Sequence, residues 1–109
     1  MVLALAMTNQ GVSVQLRDHL GHVLEDLVDP PTAWKCAASF PDESLPLLDS
    51  VDIYGDTEFM SRDSQALVDE IRRIRTAASG EDAEFLERVE RAASRLAAEP
   101  NLRLVFLGA

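Results

Sequence analysis

The sequence predicts an α+β fold: a small, mainly antiparallel sheet, built from an N-terminal hairpin and a C-terminal strand, covered on one face by two helices. Three observations carry this. Two amphipathic periods run through the last half of the chain, an alternating apolar segment lies near its start, and the apolar run LRLVFLG stands near its end. The 109 residues suit a single domain over 1–109, since a core of this size removes about two-thirds of the unfolded chain's surface from water.

The hairpin comes first. Val12, Val14 and Leu16 alternate with Ser13, Gln15 and Arg17, the period of a half-buried strand. Asp18-His19-Leu20-Gly21 suits a turn closed by a glycine at positive φ, and His22 to Val28 supplies the return strand, ended by Asp29-Pro30-Pro31. Leu16, Leu20, Val23, Leu24, Leu27 and Val28 also fall at helical spacing, so a helix is the competing reading. From Thr32 to Leu48 two prolines, Pro41 and Pro46, break the chain into a loop with short ordered pieces.

Two helices follow. Leu67, Val68, Ile71, Ile74 and Ala78 share a face from about Arg62 to Ala78, with Asp69, Glu70, Arg72, Arg73 and Arg75 towards the other. Ser61 is the expected N-cap and Gly80 the expected stop. The second helix runs from about Gly80 to Ala98, with Ser79 and Asp82 in a relaxed capping-box spacing. Phe85, Leu86, Val89, Ala93 and Leu96 form its stripe. Glu84 with Arg88 and Glu87 with Arg91 are expected ion pairs four residues apart. Leu102 to Leu107 then reads as a strand, central in its sheet because both faces are mostly apolar.

Charge gives the most direct functional signal. The net charge is -9, and it is segregated. Residues 1–60 hold two basic and ten acidic side chains, residues 61–109 eight and nine. Between Lys35 and Arg62 stand six carboxylates and no base. Such a surface repels phosphate backbones and attracts a basic protein, which excludes nucleic acid and an anionic membrane as partners. The apolar start, Val2 to Met7, has no preceding Lys or Arg and is shorter than the ~20 residues of a spanning helix. Residues 1–10 therefore read as a strand or a disordered leader. A lone Cys36 cannot form an internal disulfide, and these features together point to the cytoplasm. The thiol itself reads as a buried or incidental cysteine.

The acidity centres on VDIYGDTEF, Val51 to Phe59. Asp49, Asp52, Asp56 and Glu58 offer oxygens to a hard cation, but without the ladder of an EF-hand loop. A plain turn explains them as well: Asp52 and Asp56 in Asx turns, Gly55 at an unusual φ, and Tyr54 or Phe59 anchored in the core. His19 and His22 form an H-x-x-H pair that Glu25 or Asp26 would extend to a metal triad, weighed against two solvated histidines at a turn. Trp34 reads as a core anchor. No nucleophile elbow, phosphate loop, dinucleotide fingerprint or zinc-finger spacing is present, so neither an enzyme nor a cofactor is expected.

Leu47-Leu48, VDIYGDTEF and the amphipathic helix after them resemble a group of small uncharacterised bacterial proteins that carry aspartate-proline-tyrosine-glycine-aspartate-threonine ahead of a helix. Ile53 stands where that pattern has proline. The resemblance covers about a dozen residues and implies the architecture and no chemistry. The functional expectation is a non-enzymatic, inhibitor- or immunity-like module that docks a basic partner through Asp42, Glu43, Asp49, Asp52, Tyr54, Asp56 and Glu58. The alternatives are a structural or self-associating subunit and, third, a metal- or small-molecule-binding regulator. A homodimer is expected from Val105 and Leu107, which would lie on the sheet face opposite the two helices, unless the N-terminal apolar leader or the long loop covers them.

Overall fold

The computed structural model describes residues 12–28, 33–41 and 43–108. The leader expected over 1–10, the Asp29-Pro30-Pro31 stop and Asp42 lie outside them. The strands are β1 (Ser13–Arg17), β2 (Val23–Leu27), β3 (Asp56–Phe59) and β4 (Arg103–Leu107). The helices are α1 (Pro46–Asp49), α2 (Ser64–Arg75) and α3 (Gly80–Ala98), with short 3₁₀ segments at Lys35–Ser39 and Ser61–Asp63. All strand pairs are antiparallel, in the order β2-β1-β4-β3, and the helices pack against the sheet. The fold is α+β.

The hairpin forms where alternation places it. The amide of Gly21 donates to the Asp18 carbonyl at 3.0 Å and that of Asp18 to the His22 carbonyl at 3.0 Å. Gly21 has φ 89°, a region that only glycine adopts without strain. Val14 and Leu16 are fully buried on the helix side. β2 differs, because a bulge at Leu16/Arg17 leaves Leu24 without a partner on β1, and only Leu27 of its five residues is buried. β4 is central, as its apolar faces require.

The sheet has one strand more than expected. Asp56 to Phe59 pairs with β4 in the register Glu58↔Val105 and Phe59↔Leu104. The stretch read as an acidic turn is therefore a turn followed by the outer strand β3.

α3 has the expected bounds, whereas α2 is shorter at both ends than 62–78. Its entry is not capped by Ser61: the Asp63 carboxylate accepts the Met60 amide at 3.0 Å. Ser79 stands at the N-cap of α3, but its side chain makes no cap bond. Gly80, expected to stop α2, has φ 59° and begins α3. The expected Glu84–Arg88 and Glu87–Arg91 pairs do not form. Glu90 instead takes Arg72 at 3.3 Å and Arg75 at 3.0 Å from α2, and Arg95 pairs with Glu99 at 2.9 Å. A carboxylate between two helices reaches cations that a single-helix reading does not consider.

Between the layers lies an aromatic knot. Trp34 packs edge-on against Phe85 at 5.6 Å and 89°, and its ring centroid is also 5.6 Å from Phe106, which meets Phe59 edge-on at 5.5 Å. Leu67, Ile71, Ile74, Leu86, Val89 and Leu96 complete the core, each contributing about 1.5–3 kcal/mol when fully buried. Trp34 is thus a core anchor. Cys36 is half-buried, its thiol donating at 3.5 Å to the carbonyls of Ala33 and Ile74. Burial pushes the thiol pKa up, away from a reactive thiolate.

Val105 is 1% exposed within one chain and Leu107 is half-buried. The uncovered apolar face expected of β4 is therefore not there, and the homodimer loses that basis.

Candidate docking surface

The acidic edge is built outward from a buried carboxylate. Glu70, expected on the polar side of α2, is 1% exposed. Its Oε1 accepts the Leu48 amide at 2.9 Å and its Oε2 the Leu47 amide at 3.1 Å. These are donors at the start of α1, whose single turn cannot satisfy them itself. Burial raises the Glu70 pKa, while the two amides and the Arg73 charge pull it back. Thus held, α1 buries Leu48 and delivers the chain through buried Val51 to the turn.

At the turn, Asp52 Oδ1 accepts the Tyr54 amide at 2.9 Å, and the Asp52 amide donates to Thr57 Oγ1 at 2.9 Å. The Asx turn forms at Asp52 as expected, and Phe59 is the residue anchored in the core. Gly55 has an ordinary φ, contrary to expectation. A Cβ there would lie 2.8 Å from Asp52 Oδ2, so a larger residue would displace the carboxylate that caps the turn. Gly108 closes the other side: its amide donates to the Gly55 carbonyl at 2.8 Å, and a Cβ on it would come within 2.5 Å of the Ile53 carbonyl. The turn is clamped against the end of β4, and Tyr54 is thrown outward, 80% exposed.

Thr57 and Phe59 pair with Phe106 and Leu104 on the helix side, so alternation puts Asp56 and Glu58 on the opposite side, both exposed. Asp49, Asp52, Tyr54, Asp56 and Glu58 thus share the β3 end of the molecule. Glu43, exposed at φ 68°, lies on the preceding loop, and Asp42 is outside the described residues. Among the described residues none of Glu43, Asp49, Asp52, Asp56 and Glu58 forms an ion pair. Of the basic side chains of α2 and α3, Arg73 reaches the acidic loop and donates to the Ser44 carbonyl at 2.6 Å, Arg72 and Arg75 pair with Glu90, and Arg88, Arg91 and Arg95 line a groove with Glu25 of β2.

The histidines sit on the hairpin turn. His22 Nδ1 is 3.0 Å from Asp18 Oδ2, while Asp18 Oδ1 accepts the amides of Leu20 and His22 at 2.9 Å each. The bond from the His22 amide, chiefly, lowers the Asp18 pKa. Among the described residues no three His, Cys, Asp or Glu side chains gather as a metal site would need. Two grooves were not legible in the sequence. One, of about 290 Å³, is lined by Glu25 of β2 and by Arg88, Arg91, Ala92 and Arg95 of α3; the other, of about 450 Å³, by Asp69, Arg72, Arg73 and Thr76. Arg88, Arg91 and Arg95 share one helical face, a spacing that could have disclosed the first groove, but its opposing wall comes from β2. Among the described residues no helix is long and apolar enough to cross a membrane. The chain matches no protein-family model, and neither a curated protein nor a solved structure matches it.

Proposed function

We propose that this chain is a non-enzymatic, cytoplasmic binding module whose acidic β3 edge docks a basic protein, in the manner of a small inhibitor or immunity protein. The observation that carries the reading is Tyr54, 80% exposed on a turn tied by Asp52 and by the Gly108–Gly55 bond, between Asp49 and the β3 carboxylates Asp56 and Glu58 in the chain, none of which forms an ion pair among the described residues. A rigid exposed aromatic is a common anchor of protein interfaces. Unpaired carboxylates around it steer a cationic surface towards it and repel an anionic one. A clamped turn also spares a partner the entropy of ordering it.

A self-associating subunit is the second reading, and what favours it is the exposed apolar edge at β2. The test of the first reading is capture from native lysate at low salt, comparing the parent chain with Tyr54→Ala and with Asp49→Asn/Asp56→Asn/Glu58→Gln. Asp52 is left intact because it holds the turn. A basic protein retained by the parent and lost from both variants is the expected outcome. Capture unaffected by either variant, or insensitive to ionic strength, overturns the reading.

A further inference from the structure

The groove between β2 and α3 holds two cations that the fold leaves without a counter-charge. Arg88, Arg91 and Arg95 share one face of α3 and line the groove with Ala92, a short side chain that is 2% exposed. Glu25 forms the opposite wall. It stands in register with Leu16, which is buried against the helices, so it projects towards α3. Arg95 is held by Glu99 at 2.9 Å. The Arg88 guanidinium lies 5.9 Å over the ring of Phe85, a contact that orients it without neutralising it. Among the described residues neither Arg88 nor Arg91 forms an ion pair, although Glu84 and Glu87 stand four residues before them.

We propose that this groove binds a compact oxyanion, a phosphate monoester or a carboxylate, between Arg88 and Arg91, while a hydrogen-bond donor on the same molecule engages Glu25. A guanidinium presents its N–H groups as a fork that matches carboxylate and phosphate oxygens. Residues three apart on a helix stand about 5–6 Å apart at Cβ, so both arginines can reach one anionic group. Glu25 selects the rest of the ligand: a second anionic group beside it is repelled, whereas an amine or hydroxyl is bound. The net charge of -9 selects in the same direction at longer range. A polyanion accumulates repulsion along its length, but a compact ion feels little beyond about 8 Å at physiological salt. The groove volume of about 290 Å³ stands at the lower end for small-molecule sites. The site is independent of the acidic edge, which lies at the other end of the strand order.

Amide chemical-shift titrations of the full chain at constant ionic strength read the proposal, with inorganic phosphate, acetate and phosphoethanolamine as probes and sodium chloride as the reference. Saturable shifts centred on residues 88–95 and Glu25 are expected with phosphate, acetate or both, and the tighter of the two identifies the source of the oxyanion. Arg88→Gln with Arg91→Gln changes exposed positions and should leave the rest of the spectrum intact while weakening phosphoethanolamine about tenfold or more, through loss of the charge-assisted bonds. Glu25→Gln should act in opposite directions on two probes, tightening inorganic phosphate and weakening phosphoethanolamine. A general change in surface charge does not produce that reversal. Shifts equal to those with chloride, or binding retained by the double arginine variant, overturn the proposal. Tightening of both probes by Glu25→Gln overturns the role of Glu25 in holding the ligand's donor.

Discussion

The two outer strands of this sheet solve the problem of a free edge in opposite ways. β3 is short, acidic and clamped: Phe59 reaches into the aromatic knot, Thr57 accepts the Asp52 amide, and Gly108 closes the preceding turn. Its outward side chains are the charges that discourage uncontrolled pairing. β2 pairs with β1 but buries Leu27 alone of its five residues and leaves apolar side chains in water. A rigid charged edge suits recognition of an oppositely charged surface, while a loosely held apolar edge gains stability by being covered. The difference teaches that the two edges of one small sheet can be finished in opposite ways without sharing residues.

The largest expected effect tests the clamp. Phe59→Ala removes a side chain that is 3% exposed and should destabilise the chain by about 3–5 kcal/mol. Val23→Ala on β2 should stay within about 0.5 kcal/mol in the single chain. Chemical denaturation of both variants at a concentration where the parent is monomeric makes the comparison. Comparable losses would show that the two edges are equally anchored.

Gly108→Ala sharpens it. The added methyl meets the Ile53 carbonyl and the Gly55 amide, backbone atoms that cannot rotate away, so a loss of about 1–3 kcal/mol is expected. Amide shifts should be confined to Val51–Phe59 and β4. Shifts that instead spread to β2 would contradict the separation of the edges.

The smallest effect concerns the buried carboxylate behind α1. Because burial raises the folded pKa of Glu70 above its unfolded value near 4.5, the folded state binds the proton more tightly. The resulting stabilisation is complete below that value and is lost as pH rises through the higher folded pKa. Glu70→Gln, which keeps one acceptor for the Leu47 and Leu48 amides, should flatten this descent while changing stability at neutral pH by only about 1 kcal/mol. The measurement is the unfolding free energy across the acid range; an unchanged pH slope would show that Glu70 does not titrate differently on folding.

Much of the architecture was legible in the residues. The alternation Val12-Val14-Leu16 with Gly21 specified the hairpin, and the stripe Phe85-Leu86-Val89-Ala93-Leu96 specified α3, since both depend on the period of neighbours in the chain. The carboxylates Asp52, Asp56 and Glu58 and the aromatic Tyr54 could likewise be named as one acidic stretch. Their roles could not be separated: Asp52 holds the turn and Gly55 makes room for it, whereas Asp56 and Glu58 remain free of ion pairs.

The sequence by itself determined the segregation of charge, the two helices, the hairpin and the central apolar strand, because composition and periodicity are local. Only the tertiary structure decided that Asp56–Phe59 is a strand, that Glu70 is buried on the amides of Leu47 and Leu48, and that Val105 is covered while Leu24 is not. Each of these turns on a partner distant along the chain: β4 for β3, α1 for Glu70, β1 for β2. A backbone hydrogen bond, a desolvated charge and an exposed edge are properties of pairs brought together by folding, and no single segment carries them.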